Sequence, residues 1–256
     1  MFPSFPAGFS ALVHGASRGI GLEVVRQLLA DSRAGQVVAT SRRPLDSDGL
    51  RALQAEYGER LELLPMDVTD EASIDDAARA VGRSCRELRL LFCVVGVLHD
   101  DQGLFPEKQL ADIRLANLER SFRVNAFGPL LVARAFAPLL THGEPAVLAN
   151  MSARVGSIGD NRLGGWYAYR GAKAAQNMFT RGLSVELGRK SRALACVALH
   201  PGTTDTALSA PFQQRVPAGR LFSVERTARQ LLEVIAGLSG QDTGRFIAWD
   251  GSDIPW

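Results

Sequence analysis

Residues 11–21 read ALVHGASRGIG, and residues 22–30 continue with LEVVRQLLA. Residues 11–14 form a short apolar run typical of a strand, and the apolar residues of 22–30 recur at the spacing of an amphipathic helix. Between them lie three glycines in the pattern G-x-x-x-G-x-G, whereas many dinucleotide sites have G-x-G-x-x-G. Glycines let a backbone approach a phosphate closely, and the start of a helix attracts anions. The stretch favours a nucleotide site over a plain tight turn.

Strand-like and helical segments alternate along the rest of the chain. The further strand-like segments are 36–41, 61–66, 90–97, 146–151, 193–199 and 244–249, and the helical ones are 71–88, 115–140, a helix from about residue 166, and 223–238. This alternation predicts one α/β domain over residues 1–256. We expect a Rossmann-type, doubly wound parallel sheet of about seven strands, in the order 3-2-1-4-5-6-7, with helices on both faces. Ligands of such a sheet bind beyond the carboxyl ends of its strands.

The composition argues against several classes of protein. The formal charge is only +2, and no basic run exceeds a pair, so we expect neither nucleic acid nor a membrane surface as a partner. No apolar run reaches the roughly 18 residues of a membrane helix, and residues 1–10 lack the features of a signal peptide. Cys85, Cys93 and Cys196 lack metal-ligand spacing, so we expect buried thiols, no metal and a cytoplasmic protein.

Tyr169 and Lys173 stand four residues apart in GGWYAYRGAKAAQN, on the helix predicted from about Trp166. Residues four apart share a helical face, so the ammonium group lies beside the phenol. A nearby positive charge favours the phenolate and lowers the pKa of a tyrosine. The pair therefore predicts a proton donor and acceptor near neutral pH, with an ordinary surface pair as the alternative.

Arg42 follows the second predicted strand, where NAD-selective domains usually place an acid for the ribose hydroxyl. An arginine there can pair with the 2′-phosphate of NADP(H), and Arg18 of the glycine turn can approach the same phosphate. The pattern favours NADP(H) over NAD(H). The alternative is that both arginines are solvated surface residues.

Asn125 lies within the long helical segment 115–140, in the sequence FRVNAFGPLLV. Gly128 and Pro129 follow it closely and predict a local distortion of the helix. A polar side chain in such an apolar segment either has a role in a site or bonds locally to the backbone.

Taken together, these motifs resemble the short-chain dehydrogenase/reductase family. The chain is most similar to the C-factor-like branch, which includes sniffer-type carbonyl reductases. The resemblance spans almost the whole chain, and the segments that carry it are GSIGDNRLGGWYAYRGAKAAQN, HGASRGIG, MDVTD, VNAFGPLLV and HPGTTDT.

The resemblance implies roles for individual residues. Tyr169 would protonate a carbonyl oxygen as hydride arrives from the nicotinamide. Lys173 would lower the pKa of Tyr169 and hold the nicotinamide ribose, while Asn125 would position a water that links Lys173 to solvent. The expected cofactor-binding residues are Gly15, Ser17, Arg18, Gly19, Ile20, Gly21, Arg42, Asp67, Val68, Gly96, Tyr169, Lys173, Pro201, Gly202 and Thr204.

Three positions depart from the family pattern. Residues 93–96 read Cys-Val-Val-Gly where the family has Asn-Asn-Ala-Gly, and His14 replaces a threonine; we expect His14 to be a hydrogen-bonded structural residue. Ala153 occupies the place of the serine that donates to the substrate carbonyl. Ser152 is adjacent, but on an extended strand its side chain points to the other face. Ser152, Ser157 or no serine at all then supplies the donor, and we select Ser152 as the catalytic candidate.

The sequence therefore predicts an NADP(H)-dependent oxidoreductase acting on a small carbonyl or alcohol substrate. The alternative is a cofactor-binding signalling or regulatory protein with weak or no catalysis. We expect segments 101–112 and 203–222 to determine the substrate, and the apolar helices to form a homodimer or homotetramer.

Overall fold

Seven parallel strands form one sheet in this protein. The structure is a computed structural model that describes residues 1–256, except for the side chain of Arg215. The strands are β1 (Phe9–His14), β2 (Ala34–Ser41), β3 (Leu61–Pro65), β4 (Leu90–Cys93), β5 (Ala146–Met151), β6 (Leu194–His200), β7 (Thr203–Thr204), β8 (Leu221–Phe222) and β9 (Phe246–Ala248). The sheet has the order β3-β2-β1-β4-β5-β6-β9, while β7 and β8 pair separately. Because that ribbon lies outside the sheet, the predicted order 3-2-1-4-5-6-7 is confirmed.

Helices cover both faces of the sheet. They are α1 (Gly19–Ala30), α2 (Asp48–Tyr57), α3 (Glu71–Ser84), α4 (Leu115–Phe122), α5 (Gly128–Leu140), α6 (Tyr167–Lys190) and α7 (Val224–Ala236). The core on one face joins α1, α2 and α7 to the sheet, and the core on the other joins α3, α5 and α6. Val13 of β1 belongs to the first core and Leu12 to the second. Burial on both faces explains why the strands are continuous apolar runs, and the predicted doubly wound fold is confirmed.

The fourth strand is shorter than predicted. It ends at Cys93 rather than Val97, although residues 94–97 are apolar. The backbone leaves the sheet there because it passes close to the glycine turn: a Cβ atom on Gly15 would lie 2.9 Å from the backbone nitrogen of Val95. Similarly, α3 ends at Ser84 rather than at residue 88.

The predicted distortion around Asn125 is confirmed. Residues Arg123–Phe127 form a π-helical turn between α4 and α5. Pro129 has no N–H to donate to the carbonyl oxygen of Asn125 in an α-helical pattern, which favours a wider turn. Gly128 is required by packing, because a Cβ atom there would overlap the side chain of Val68.

Candidate active site

The predicted cofactor residues meet at one edge of the sheet, beyond the carboxyl ends of its strands. The glycine turn follows β1, Arg42 follows β2, Asp67 and Val68 follow β3, Gly96 follows β4, and Pro201 and Gly202 follow β6. The topology of a doubly wound sheet explains this convergence, because all seven strands are parallel and end at the same edge.

The glycine turn leaves the start of α1 open. Gly15 and Gly19 have φ angles of +87° and +55°, which favour glycine. No side chain caps α1, whereas Ser47, Asp70 and Ser223 cap α2, α3 and α7. The first amide groups of α1 therefore have no competing side-chain acceptor, and the turn fits the pyrophosphate of a dinucleotide.

The end of β2 offers further polar groups. The hydroxyl of Ser41 is buried and has no hydrogen-bond partner among the described residues. Arg42 is exposed and forms none of the ion pairs found in the described part of the chain, as is also true of Arg18. The two residues are consecutive at the end of β2, and the unpaired guanidinium group of Arg42 can bind a phosphate ester on an adenosine ribose. The sequence interpretation had missed Ser41 as a donor.

Asp67 and His14 lie near Arg42, at the same edge of the sheet. Burial opposes ionisation of Asp67, but hydrogen bonds from Thr69 and the charge of Arg42 hold its pKa below the usual range. Burial lowers the pKa of His14 to about 4, so its imidazole is neutral at pH 7. Its Nδ1 lies 2.8 Å from the hydroxyl oxygen of Thr40, which confirms that His14 is hydrogen-bonded within the fold.

Tyr169 and Lys173 lie together on α6. The Lys173 ammonium nitrogen is 5.8 Å from the centre of the Tyr169 ring. It donates to the carbonyl oxygen of Met151 at 2.8 Å and to Oε1 of Gln176 at 2.9 Å. Burial lowers the pKa of Lys173 to about 8. Burial also raises the pKa of Tyr169 above its ordinary value, so the lowered tyrosine pKa expected from the sequence is wrong for the free protein.

Asn125 is fully buried and bonded to the backbone. Its Oδ1 accepts from the amide of Val97 at 2.9 Å, and its Nδ2 donates to the Val97 carbonyl at 2.8 Å. A Cβ atom on Gly96 would lie 3.3 Å from Asn125 Oδ1 and 3.8 Å from the Lys173 nitrogen, so Gly96 separates the two side chains. The side chain thus holds the segment after β4 in place. The role of Asn125 in positioning water stays a prediction.

Both candidate serine hydroxyls already donate within the fold. The Ser152 hydroxyl donates to Oδ1 of Asn177 at 2.6 Å, and the Ser157 hydroxyl donates to the carbonyl oxygen of Pro255 at 2.5 Å. The selection of Ser152 as a catalytic residue stays a prediction, and this geometry does not support it. Thr204 is likewise occupied, because its hydroxyl oxygen lies 2.8 Å from that of Thr227.

Comparison with known proteins identifies the family. The model of the short chain dehydrogenase family matches residues 10–217. The chain belongs to this family, and with it to the NAD(P)-dependent oxidoreductases. The chain is 37% identical to the C-signal protein of Myxococcus xanthus over 147 residues, which cover 57% of this chain and 83% of that protein.

Two solved structures are also similar. The NADPH-bound carbonyl reductase from chicken fatty liver has a TM-score of 0.86 and 31% identity, covering 99% of this chain and 96% of that one. The carbonyl reductase Sniffer of D. melanogaster has a TM-score of 0.85 and 26% identity, covering 97% and 99%. The predicted likeness to C-factor-like and sniffer-type members of the family is confirmed.

Three further observations concern the cysteines, metal-binding side chains and membrane spans. All three cysteines are free and buried, as predicted. In the described part of the chain, no cluster of three His, Cys, Asp or Glu side chains has the arrangement of a metal site. None of the helices described here is both long and apolar enough to cross a membrane.

The sequence interpretation missed four residues around Tyr169. Gln176 accepts from Lys173, Glu107 caps the start of α6 by accepting from the Ala168 amide at 3.1 Å, and the rings of Trp166 and Phe212 lie close to each other. A signal existed only for Gln176, which is a polar residue three positions beyond Lys173 on a buried helical face. The partners of the other three residues come from distant segments of the chain.

Proposed function

We propose that the chain is an NADP(H)-dependent reductase of small carbonyl compounds. The observation that carries the proposal is the buried ammonium group of Lys173 beside the ring of Tyr169, 5.8 Å from its centre. This pair lies on the helix that borders Gly96, at the same sheet edge as the open glycine turn. A proton donor and a dinucleotide site at one edge are the two parts that carbonyl reduction needs.

The residues of this chain would act as follows. When bound, NADPH supplies the hydride that adds to the carbonyl carbon. Tyr169 donates its phenolic proton to the carbonyl oxygen, which yields an alcohol and leaves a phenolate. Burial raises the pKa of Tyr169, and the charge of the adjacent Lys173 ammonium stabilises the phenolate as it forms.

A first experiment tests the catalytic assignment. NADPH oxidation is followed with aldehydes, ketones and quinones for the wild type and for Tyr169→Phe. We expect Tyr169→Phe to lose a factor of roughly 10²–10⁴ in turnover, the usual contribution of a general acid, while NADPH affinity measured by calorimetry stays unchanged. Equal turnover by the two proteins would remove Tyr169 from the mechanism.

NADP(H) is proposed as the cofactor because of Ser41, Arg42 and Arg18. Arg43 provides a matched control, because it is the next residue and lies 3.9 Å from the carboxylate of Asp46. We expect Arg42→Ser to weaken NADPH binding by about tenfold or more, as for the loss of a charge-assisted hydrogen bond. NADH binding should not change, and Arg43→Ser should alter neither affinity. Equal losses for both cofactors would indicate that Arg42 does not recognise the 2′-phosphate.

A signalling or regulatory protein is the second candidate. Ala153 provides no hydroxyl, and the hydroxyls of Ser152 and Ser157 already donate within the fold. The similarity to the C-signal protein adds to this candidate. Tight NADPH binding without reduction of any tested carbonyl compound would favour it over the reductase.

We also propose that the chain forms a homodimer or homotetramer through α5 and α6. Met178 and Val185 of α6 are 68% and 48% exposed and stand seven residues apart on one side of the helix, and the neighbouring Phe127 is 46% exposed. Light scattering should give a mass of at least two chains. Met178→Asp should shift that mass towards one chain, and a monomeric wild type would remove the proposal.

A further inference from the structure

The backbone before α6 follows a left-handed path. Gly164, Gly165 and Trp166 have φ angles of +62°, +64° and +53°. Trp166 is the single residue other than glycine with a positive φ among the described residues. A bulky side chain is disfavoured in this conformation, and such strain is found mainly at functional sites.

Glu107 holds this strained turn in place. Its backbone carbonyl accepts from the Trp166 amide at 2.6 Å, and its Oε2 accepts from the Ala168 amide at 3.1 Å. The side chain is buried, and a Cβ atom on Gly165 would lie 3.2 Å from the Glu107 carbonyl oxygen. The close approach of the two segments thus requires glycine at position 165 and fixes the direction of Trp166.

The turn directs the indole of Trp166 towards the proposed proton donor. Its ring centre lies 6.4 Å from that of Tyr169, with an angle of 70° between the planes. Lys173 lies near the same tyrosine ring, 5.8 Å from its centre. Trp166 is therefore a neighbour of Tyr169, although it plays no part in the proton transfer proposed above.

Three more rings extend from Trp166. Phe212 lies 4.9 Å from Trp166, Phe105 lies 5.4 Å from Phe212, and His99 lies 5.8 Å from Phe212, all between ring centres. We call His99, Phe105, Trp166 and Phe212 the aromatic wall. Phe105 and Phe212 fall within the segments 101–112 and 203–222, which the sequence analysis expects to determine the substrate, whereas His99 lies just before the first of them.

The aromatic wall keeps apolar surface exposed in the free protein. Phe105 is 48% exposed, and the other three side chains are only partly buried. Their rings meet at tilted or edge-on angles of 44° to 67°. A further planar ring can pack beside rings in such arrangements. Aromatic pairs with ring centres about 4.5–7 Å apart attract each other more strongly than their buried area alone accounts for.

We propose that the aromatic wall selects carbonyl compounds with an aryl substituent, with Trp166 and Phe212 as the specificity-determining residues. This inference rests on the proposed reductase function. A carbonyl group at Tyr169 would place its aryl substituent against Trp166, the wall residue nearest to the tyrosine. The strain at Trp166 then has a function, because it brings a rigid ring next to the reacting group.

The test compares phenylacetaldehyde with cyclohexylacetaldehyde, which share a carbon skeleton and an unconjugated carbonyl group. We expect the wild type to have the higher kcat/KM for the phenyl compound. Phe212→Leu and Trp166→Leu should each reduce this preference by roughly 2–10-fold, the usual worth of an aromatic pair, mainly through KM. Trp166→Phe should retain most of it. Tyr57→Leu, a partly exposed aromatic residue of α2, should leave the preference and the activity unchanged.

The outcomes separate this inference from the proposed function. If both aldehydes are reduced and the phenyl preference is absent, or is the same in all variants, the aromatic wall does not select aryl groups, although the reductase stands. If NADPH binds and neither aldehyde nor any other carbonyl is reduced, the proposed function fails and the inference fails with it. Because Phe212 lies outside the left-handed turn of residues 164–166, Phe212→Leu tests the wall even if Trp166→Leu does not fold.

Discussion

The hydroxyl of Ser152 donates a hydrogen bond of 2.6 Å to Oδ1 of Asn177, which lies eight residues beyond Tyr169 on the same helix. Ser152 is 2% exposed, whereas the next residue, Ala153, is only partly buried. Ala153 has extended backbone angles, φ −148° and ψ 144°. Because side chains alternate along extended backbone, Ser152 binds the helix and Ala153 faces the other way.

Ala153→Ser should therefore increase turnover. The new hydroxyl would stand where the family pattern places a donor to the carbonyl oxygen, and loss of one such donor elsewhere costs about 10²–10³ in kcat. We expect an increase of at least about tenfold, because a donor added by mutation is seldom placed ideally. Steady-state NADPH oxidation measures it.

The control is Ser152→Ala. It should lower the free energy of unfolding by about 1–3 kcal/mol, because Asn177 Oδ1 loses its donor in a buried place. Its turnover per folded molecule should change little. A large loss of turnover in Ser152→Ala, without a gain in Ala153→Ser, would show that Ser152 supplies the donor after all.

Lys173 should make stability depend on alkaline pH. Burial lowers its pKa from 10.5 to about 8, so between these values the native state binds fewer protons than the unfolded state. Stability contributed by this group therefore rises with pH in that window. Relative to Lys173→Met, the wild type should gain about 2 kcal/mol between pH 7 and pH 9.5. Urea unfolding of both proteins at the two pH values measures the difference in their free energies of unfolding. If that difference is the same at both pH values, burial does not lower the pKa of Lys173.

His14 should contribute to acid destabilisation. Burial lowers its pKa from 6.5 to about 4, with the charge of Asp67 opposing this shift. Between pH 6.5 and 4 the unfolded state binds the extra proton, so stability falls as the pH falls through this window. From pH 7 to pH 4.5 the wild type should lose about 2 kcal/mol more than His14→Gln. If both proteins lose the same free energy of unfolding over this pH range, protonation of His14 does not destabilise the native state.

The architecture could be predicted from the sequence because the patterns that specify its strands and helices are local or periodic. Strands buried on both faces read as apolar runs, and the distortion at Asn125 follows from Gly128 and Pro129. The end of β4 was misplaced because residues 94–97 are as apolar as the strand itself. Their path depends on the close approach of Gly15 and on the bonds from Asn125, which connect residues far apart in sequence.

The surroundings of Tyr169 were predictable only in part. The four-residue spacing to Lys173 placed the two side chains together, but burial, which sequence does not report, reversed the expected direction of the tyrosine pKa. The left-handed conformation of Trp166 has no sequence signal, since tryptophan seldom adopts it. Glu107 reaches the start of α6 from about 60 positions upstream, so no local motif marks it as a cap.

Phe5 should contribute to stability and not to cofactor binding. Its ring stacks on Phe2 with centres 5.2 Å apart and meets the edge of Phe9 at 5.2 Å, and all three side chains are buried in the core that faces α1 and α7. These residues precede or begin β1, at the opposite end of the strand from the glycine turn. Phe5→Ala should cost about 3–5 kcal/mol in the free energy of unfolding, and Phe5→Leu clearly less. NADPH affinity measured below the unfolding transition should match the wild type for both variants, so a selective loss of affinity would show that this aromatic cluster supports the glycine turn as well as the core.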